Sequence, residues 1–572
     1  MTIYFRSCGL AAKAFDTLNA LRITMSQKWS YSGIQILSEK ARKAMTKDVA
    51  EHPWFGIHDN VNIAFKVYEQ RLKNQSHFDS GTAGTIVIIK DPACIPPDYI
   101  ASRLKFLEGV NNPISFKDII ELDATASGRL KSFAVYLILR FLVDASEFDF
   151  KNYSYGDNPI FSRPASSSQL ATGPTSATCQ YMLDLLHIDE VSYEGNDCVL
   201  AEWFRQLQLD PKGNQLTVWV GDQLTVSRIR GLKRFRCMDL NSHDRLEFLK
   251  PVFGWFHAQM AMEHSLHSQY WGTRAGHGLV HVFELLNRKG LTAPSIQGTF
   301  HQNIKEGLTH VAAARFRDVW CTVGQVTNLK DLNMLKPDQL EAMAIKIVDD
   351  FASVRALHSI SSKPGNEQDD VLSQAILWNK DILDYLALND AISSGDVAII
   401  QDLLPRLVFR FVGGTNSKYA LEVLELIQGL YREWPKDLQG VLLSQYMSHS
   451  NLIWHVSGTI LRIIVGLQIR LGVENHSYRS ISYKSTTFGT LNMYLHQSGP
   501  SRRGTSFEKC QARSLVSEKS KTMLRLKSMP FAVVSHTPIQ MPRKTSGIFK
   551  RHIRKNRYIH SNQDENLQLG TK

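Results

Sequence analysis

Two short apolar runs that each reach an aspartate dominate the hydrophobic pattern of the first half of the chain. Residues 54–63 and 216–225 are rich in Val, Ile, Trp and Phe, and Asp59 and Asp222 lie where each run turns polar. A third run, residues 83–90, predicts another strand that ends at an Asp-Pro pair. The pattern therefore predicts a sheet early in the chain, with a carboxylate at the end of two of its strands.

Helical periodicity surrounds these strands. Residues 26–49 predict a helix that is capped by Ser26 and has Ile34, Leu37, Ala41 and Met45 near one face. Between the two aspartates the pattern predicts four further helices and a loop rich in Ser, Pro and Gly. The helices are residues 100–107, 129–143, 179–186 and 199–207, and the loop is residues 156–176.

After Asp222 the pattern is almost wholly helical as far as residue 432. The predicted helices are residues 248–270, 278–288, 302–320, 337–358, 369–387, 399–411 and 417–432. The chain therefore divides into a helical segment (1–50), an α/β core (51–240), an all-α region (241–440) and a poorly ordered tail (441–572). The expected fold class is a mixed-sheet α/β core with a large all-α insertion, mainly helical overall.

Charge separates the tail from the rest of the chain. Residues 501–572 hold 16 Lys and Arg against 4 Asp and Glu, whereas residues 1–500 hold 50 of each and are neutral. The densest part, residues 550–557, is a candidate nuclear localisation signal or nucleic-acid patch, and DNA is a candidate partner. The alternative is a solvated, disordered tail without a specific partner.

Cysteine use and hydropathy narrow the class of protein. The seven cysteines form no Cys-x-x-Cys pair, which argues against a disulfide framework and for a reducing, intracellular compartment. No apolar run approaches the roughly 20 residues that a membrane-spanning helix requires. Walker, dinucleotide and Gly-x-Ser-x-Gly motifs are absent from the sequence. Composition therefore indicates an intracellular protein that does not span a membrane.

Six continuous strings resemble one uncharacterised family that is abundant in mushroom-forming fungi, known as domain of unknown function 6589. They are Trp-Phe-Gly-Ile-His-Asp-Asn at 54–60, Asn-Gln-Ser-His-Phe-Asp-Ser-Gly-Thr-Ala at 74–83, Gly-Asp-Gln-Leu-Thr at 221–225, Phe-Gly-Trp-Phe-His at 253–257, Gly-Thr-Phe-His at 298–301 and Gly-Gly-Thr-Asn-Ser-Lys-Tyr at 413–419. The resemblance covers roughly residues 8–438. The family has no established activity, so the resemblance predicts membership and not chemistry.

More remotely, the Asp-Asn and Gly-Asp-Gln elements resemble those of transposon-encoded, ribonuclease-H-like Asp-Asp-Glu proteins. That resemblance implies that Asp59 lies on the first strand, Asp222 on the fourth, and residues 245–432 form the insertion. It also implies a third carboxylate on a late helix, for which Glu474 in Glu-Asn-His is the nearest candidate. If that acid is missing, we expect cleavage activity to be severely reduced and the protein to be a degenerate or repurposed copy. The chain also begins inside the family's usual pattern, so we expect an upstream DNA-binding part to be absent.

The chemistry implied by this resemblance needs two divalent ions, Mg²⁺ or Mn²⁺, about 3.5–4 Å apart and held by carboxylates. Asp59 and Asp222 are the expected ligands. A basic cluster follows the second strand and is a candidate phosphate contact, although basic clusters are more commonly solvated helix faces. Its members are Arg228, Arg230, Lys233, Arg234 and Arg236.

Structural explanations compete with each of these assignments. Asp59 suits a turn at a strand end, and Asp222 suits the cap of a following helix. Histidines with helical spacing, among them His257, His264 and His267, or His277 and His281, suit either a zinc site or ordinary helix faces. Two hypotheses remain: a degenerate transposon-derived nuclease, and a non-catalytic, mainly helical interaction protein.

Overall fold

The computed structural model describes most of the first 446 residues. The described residues are 1–7, 10–65, 75, 77–171, 176, 178–188, 190–210, 216–273, 278–286, 300–414, 416–444 and 446. The predicted tail and Glu474 lie outside them. None of the helices in the described residues combines the length and apolar character needed to cross a bilayer.

The described chain is mainly helical and contains one sheet. The strands are β1 (Trp54–Phe65), β2 (His77–Ile88), β3 (Cys179–Met182), β4 (Thr217–Gly221) and β5 (Leu249–Phe253). The helices are α1 (Thr2–Ser7), α2 (Ala12–Ala20), α3 (Gln27–Glu51), α4 (Tyr99–Val110), α5 (Phe116–Val143), α6 (Tyr193–Leu207), α7 (Gln223–Phe235), α8 (Trp255–Tyr270), α9 (Leu279–Leu286), α10 (His301–Gly324), α11 (Pro337–Phe351), α12 (Val354–Ser361), α13 (Asp370–Ser394), α14 (Val397–Gly413), α15 (Ser417–Gln428) and α16 (Lys436–Ser444).

The sheet is mixed, with strand order β3-β2-β1-β4-β5. Strands β1, β2 and β3 form an antiparallel meander, whereas β4 pairs parallel to β1 and β5 pairs parallel to β4. Parallel neighbours need long crossover connections, which here run through helices. The expectation of a mixed sheet with Asp59 on the first strand and Asp222 at the end of the fourth is confirmed.

Two of the predicted helices contain strands. Residues 179–186 were expected to be helical, but Cys179–Met182 forms β3, which pairs with the end of β2. Residues 248–270 were expected to form one helix, but Leu249–Phe253 forms β5 before α8 begins. Short apolar runs cannot be assigned by periodicity alone, and both strands lie at sheet edges, where Pro251 of β5 is tolerated.

The sheet separates two apolar cores. The larger core contains Phe55 and Ile57 of β1 together with the helices from α5 and α8 onwards. The smaller core contains Trp54 of β1, Trp219 of β4 and residues of α3, α6 and α7. Because successive strand residues point to opposite faces, alternate positions of β1 belong to different cores. Residues 55, 57 and 59 share the face of the larger core.

The helical region forms an insertion between β5 and α15. Helix α5 packs against α10, α11, α13 and α14, and it begins with a capping box between Ser115 and Asp118. Helix α15 returns to contact α7 and β5, so the chain re-enters the sheet domain after the insertion. The described residues after β5 are mainly helical, as predicted, but the predicted all-α region (241–440) also contains β5.

The predicted cap of α3 is confirmed and its predicted apolar face is wrong. The Ser26 side chain accepts a hydrogen bond from the Trp29 backbone at 3.1 Å. Met45 is buried, but Leu37 and Ala41 are exposed. Only the last third of α3 packs against the sheet, so an apolar face in its first half has no core to enter.

Gly56 permits the close approach of β1 and β4. It lies opposite Trp219, and a Cβ atom at residue 56 would lie 2.4 Å from Cζ3 of that indole. We expect Gly56→Ala to lower the free energy of unfolding by about 1–3 kcal/mol, because the indole must move within a packed core. The matched control is Gly128→Ala in α5, where a Cβ meets no neighbour within 4 Å and alanine should stabilise the helix. Urea midpoints for both variants test this; equal midpoints would contradict it.

Glu433 ends a π-helical turn, Gly429–Glu433, that packs against α4. Burial and the charge of Glu425 raise the pKa of Glu433 to about 7, although Gln428 and Lys250 oppose the shift. The folded protein therefore holds this proton more tightly than the unfolded chain, whose carboxyl has a pKa of 4.5. The stabilisation that this bound proton gives the folded protein is complete below pH 4.5 and is lost as the pH rises through about 7.

We therefore expect Glu433→Gln to match the parent protein in stability at pH 4 and to exceed it at pH 8. The difference should be about 3–3.5 kcal/mol, since the pKa rises from 4.5 to about 7 and one pKa unit corresponds to about 1.4 kcal/mol. Urea unfolding at both pH values measures it. Glu108→Gln, at an exposed position on α4, is the control and should show no such pH dependence. A Glu433→Gln effect of equal size at both pH values would disprove the assignment.

Candidate functional site

The register of β1 against β4 brings the two predicted aspartates together. Phe55 pairs with Val218, and Ile57 pairs with Val220. Continuing this parallel register by two residues places Asp59 opposite Asp222. Asp222 directly follows β4, whereas β1 continues to Phe65, so Asp59 lies inside its strand and not at the strand end that the sequence predicted. Neighbouring strands lie about 4.8 Å apart, so the two side chains start from neighbouring Cα positions.

Each carboxylate is held by a local hydrogen bond. One oxygen of Asp59 accepts from the Asn60 backbone at 2.9 Å, and the side chain is about half exposed, at 48%. Asp222 is the N-cap of α7 and accepts from the Thr225 backbone at 2.7 Å. The capping role proposed from the sequence is therefore confirmed. A cap uses one carboxylate oxygen, which leaves the other available to a ligand.

His257, in the first turn of α8, lies close to the two aspartates. The Gly254 backbone donates to the Gly221 carbonyl at 2.8 Å, which extends the parallel ladder and starts α8 beside the end of β4. The Nε2 atom of His257 lies 3.6 Å from Oδ2 of Asp59. Burial lowers the pKa of His257, but the hydrogen bond and charge of Asp59, aided by Asp222, outweigh it, and the net pKa is raised.

Tyr419 on α15 closes the other side of the site. Burial raises the pKa of its phenol, and the negative charges of Asp222 and Asp59 raise it further. The Gln223 backbone at the start of α7 donates to its oxygen and opposes this rise. A residue from beyond the helical insertion therefore lies close to the two aspartates.

The other histidines do not complete a metal site. His267 is buried and stacks on Trp271 with ring centroids 4.2 Å apart, and His277 lies outside the described residues. In the described part of the chain, no group of three or more His, Cys, Asp or Glu side chains converges as a metal-ligand set. The zinc alternative considered for these histidines has no such group to support it here.

Most of the predicted basic cluster makes intramolecular contacts. Arg230 pairs with Glu422 at 2.7 Å, and Arg236 pairs with Asp197 at 2.5 Å. The other two engaged side chains bond to backbone carbonyls: Arg228 to residue 191 at 2.8 Å and Lys233 to residue 249 at 2.6 Å. Arg234 is exposed. The cluster chiefly fastens α7 to its neighbours, so one member remains as a free phosphate contact within the described structure.

A buried histidine fastens the two aspartate-bearing strands together on the opposite face of the sheet. Trp219 of β4 donates from Nε1 to Nδ1 of His58 at 2.6 Å, which leaves the imidazole proton on Nε2. That Nε2 lies 2.5 Å from the Glu190 carboxylate, which is within ion-pair range, although the contact lacks the geometry of an aligned hydrogen bond. Both side chains are almost fully buried. Sequence reasoning missed this contact, because residues 58, 190 and 219 have no shared local pattern.

These features define a class: a mainly helical protein with a small mixed sheet, in which an aspartate within β1 and an aspartate that follows β4 lie near one histidine. The chain belongs to the family of unknown function DUF6589, whose sequence profile matches residues 109–448. The match includes Asp222, His257 and Tyr419 and begins after β1, which carries Asp59. Comparisons with curated proteins and with solved structures give no match.

We expect a double-mutant cycle to detect the His58 contact. His58→Ala and Glu190→Ala should each lower the free energy of unfolding by about 2–3 kcal/mol, because each leaves a buried partner unsatisfied. The double variant should lower the free energy of unfolding by at least about 1 kcal/mol less than the sum of the two single effects. Urea unfolding of the parent protein, both single variants and the double variant measures this. The exposed pair Arg42 and Asp184, 2.8 Å apart, is the control, with an expected coupling below about 1 kcal/mol. Additive single variants at 58 and 190 would show that the two side chains do not interact.

Proposed function

We propose that this protein is a ribonuclease-H-like, transposon-derived protein whose ancestral activity was metal-dependent phosphodiester cleavage at Asp59 and Asp222. One observation carries the proposal: the parallel register of β1 and β4, continued by two residues, sets Asp59 within β1 beside Asp222 at the end of β4. The strand order β3-β2-β1-β4-β5, with an antiparallel meander followed by two parallel strands, is that of ribonuclease-H-like folds and supports the same conclusion.

The donor chemistry suits a hard divalent cation. Asp59 and Asp222 offer carboxylate oxygens, and Mg²⁺ is commonly bound by one or two carboxylates, with water and substrate phosphates completing its shell. A bound Mg²⁺ or Mn²⁺ would polarise a phosphodiester and activate a nucleophile. Asp222 is oriented by the α7 cap, and His257 holds or releases a proton beside Asp59.

The position of the helical insertion supports the transposon-derived part of the proposal. The resemblance implies an insertion over residues 245–432, before the helix that carries a third acid, and the described residues between β5 and α15 lie within that range and are mainly helical. Within the described residues α15 brings Tyr419 to the site, and its Glu422 pairs with Arg230. Glu474, the expected third acid, lies outside the described residues. With two carboxylates at the site, we propose a degenerate enzyme with weak or lost cleavage activity.

The alternative is a non-catalytic, mainly helical interaction protein. Its support is that Asp222 already has a structural role as a helix cap, and that no third metal ligand joins the site among the described residues. In that case both aspartates are retained for folding. The two proposals differ in one property, which is whether the site binds a divalent cation.

Asp222→Asn tests the proposal with little risk to the fold, because asparagine caps helices as well as aspartate does. We expect the variant to lose Mn²⁺ binding, measured by electron paramagnetic resonance, and to lose any Mn²⁺- or Mg²⁺-dependent nicking of a supercoiled plasmid. Binding should fall at least tenfold, since a charged ligand is replaced by a neutral one. The matched control is Asp369→Asn, which changes the N-cap of α13 in the same way, where Asp369 accepts from Leu372 at 2.8 Å.

The outcomes separate the alternatives. Mn²⁺ binding without nicking in the parent protein, lost in Asp222→Asn, supports a degenerate enzyme. No Mn²⁺ binding by the parent protein would establish the helical interaction protein. Nicking that survives in Asp222→Asn would locate the activity elsewhere.

A further inference from the structure

Helix α3 has an unpartnered face that the fold does not use. Its buried positions, Ser30, Met45 and Val49, lie along one side. Every residue from 35 to 44 is exposed, so nearly three turns of helix have almost no cover from the rest of the described chain. A helix without tertiary packing is only marginally stable in water, so this stretch is a candidate for a binding partner.

The face opposite the buried side is basic in its second half. At 100° per residue, Ile36, Lys40, Lys43 and Lys47 lie within one narrow stripe, in line with Trp29. Lys40 and Lys43 are exposed and form no ion pair with a carboxylate of the described residues, and Lys47 is 4.0 Å from Glu51. The three ammonium groups span about 10 Å of helix.

Part of this face extends past the level of Asp59 along the strands. Asp48 of α3 lies beside Tyr181 of β3, at 2.8 Å, whereas Arg42 reaches Asp184, beyond the end of β3. Helix α3 therefore runs antiparallel to β3, which itself runs in the same direction as β1. Trp29, Ile36 and Lys40 precede Arg42 and lie beyond that level, whereas Lys43 and Lys47 lie beside β3. Helix α3 packs on the face of the smaller core, opposite the face to which Asp59 belongs.

We propose that this face of α3, defined by Trp29, Ile36, Lys40, Lys43 and Lys47, binds the phosphodiester backbone of a duplex nucleic acid. B-form DNA carries a charge about every 3.4 Å along each strand, so a span of about 10 Å covers about three phosphates. The exposed indole adds an apolar surface for contact with the sugars. The choice of a nucleic acid rests on the proposed function, which assigns phosphodiester chemistry to Asp59 and Asp222.

The other occupants fit the charges less well. A second copy of the chain, related by a twofold axis, would bring the same three lysines against each other, and like charges repel. An anionic membrane surface suits a helix whose apolar face is free to enter the bilayer. Here the apolar side of α3 packs on the sheet through Met45 and Val49.

The first test measures salt-dependent binding with the full chain. A fluorescein-labelled 30-base-pair DNA duplex is titrated in EDTA, so that any metal site plays no part. We expect the triple variant Lys40→Gln, Lys43→Gln, Lys47→Gln to bind at least tenfold more weakly at 100 mM salt. The slope of log K against log salt should fall by about 2–3, at about 0.9 for each lost phosphate contact. The control, Lys117→Gln, Lys346→Gln, Lys363→Gln, removes the same charge from exposed lysines on other elements.

The second test locates the contact directly and is independent of binding by the basic C-terminal residues. Lysine acetylation, read by mass spectrometry, should be slowed at Lys40 and Lys43 by the DNA duplex and unchanged at Lys117. Equal binding by the two triple variants, or equal acetylation with and without DNA, would overturn the proposal. So would loss of binding to vesicles of 30% phosphatidylserine by the α3 variant with DNA binding unchanged. Because Asp222→Asn should leave all these results unaltered, failure here is distinguishable from failure of the proposed cleavage site.

Discussion

The parallel pairing of β1 with β4 is the contact on which the rest of the structure depends, because it joins the antiparallel meander to the parallel half of the sheet. The close approach of the two strands requires Gly56, because the Trp219 indole lies across that residue. The indole then reaches His58 and fixes which imidazole nitrogen carries the proton. The same register that makes this contact sets Asp59 beside Asp222. The contact between Trp219 and His58 and the candidate site therefore both result from one strand alignment.

Alternation along β1 assigns these two roles to opposite faces of the sheet. His58 points into the smaller core, where its imidazole and the Glu190 carboxylate are almost fully buried. Asp59 points to the other face, where it is half exposed and meets His257. One residue of slippage would exchange the two faces and bury Asp59 without its partners. The buried contact therefore protects the site by fixing the register, although it does not touch the site.

Sequence patterns recovered the parts of this architecture that are local. The position of Asp222 after a strand, the Ser26 cap and the long helices of the second half follow from runs of neighbouring residues, whereas β1 continues past Asp59, where the sequence predicted its end. Strands β3 and β5 were missed because runs of four or five residues have no diagnostic period, and what makes them strands is pairing with residues distant in the sequence. The exposure of Leu37 had the same origin, since amphipathicity indicates that a face can be buried and not that a partner is present.

The candidate site shows the same limit. His257 was considered as a metal ligand alongside histidines of its own helix, whereas its partner, Asp59, is on β1. Tyr419 was part of a family string and had no predicted role, yet it lies against Asp222 and Asp59. The basic cluster was interpreted as a phosphate-binding or solvent-exposed face, but Arg230 and Arg236 form ion pairs with Glu422 and Asp197. Each correction comes from a tertiary contact that no window of sequence contains.

The insertion between β5 and α15 has a consequence for how this protein is made. Asp59 and Asp222 can meet once roughly 160 intervening residues have closed a loop, an entropic cost that makes such pairings slow. Tyr419 can join them only after the whole helical region has been synthesised and folded. During translation the two carboxylates would therefore be in place, open on one side, well before the site is enclosed. The time needed to synthesise and fold the helical region therefore separates the formation of the acidic pair from its enclosure.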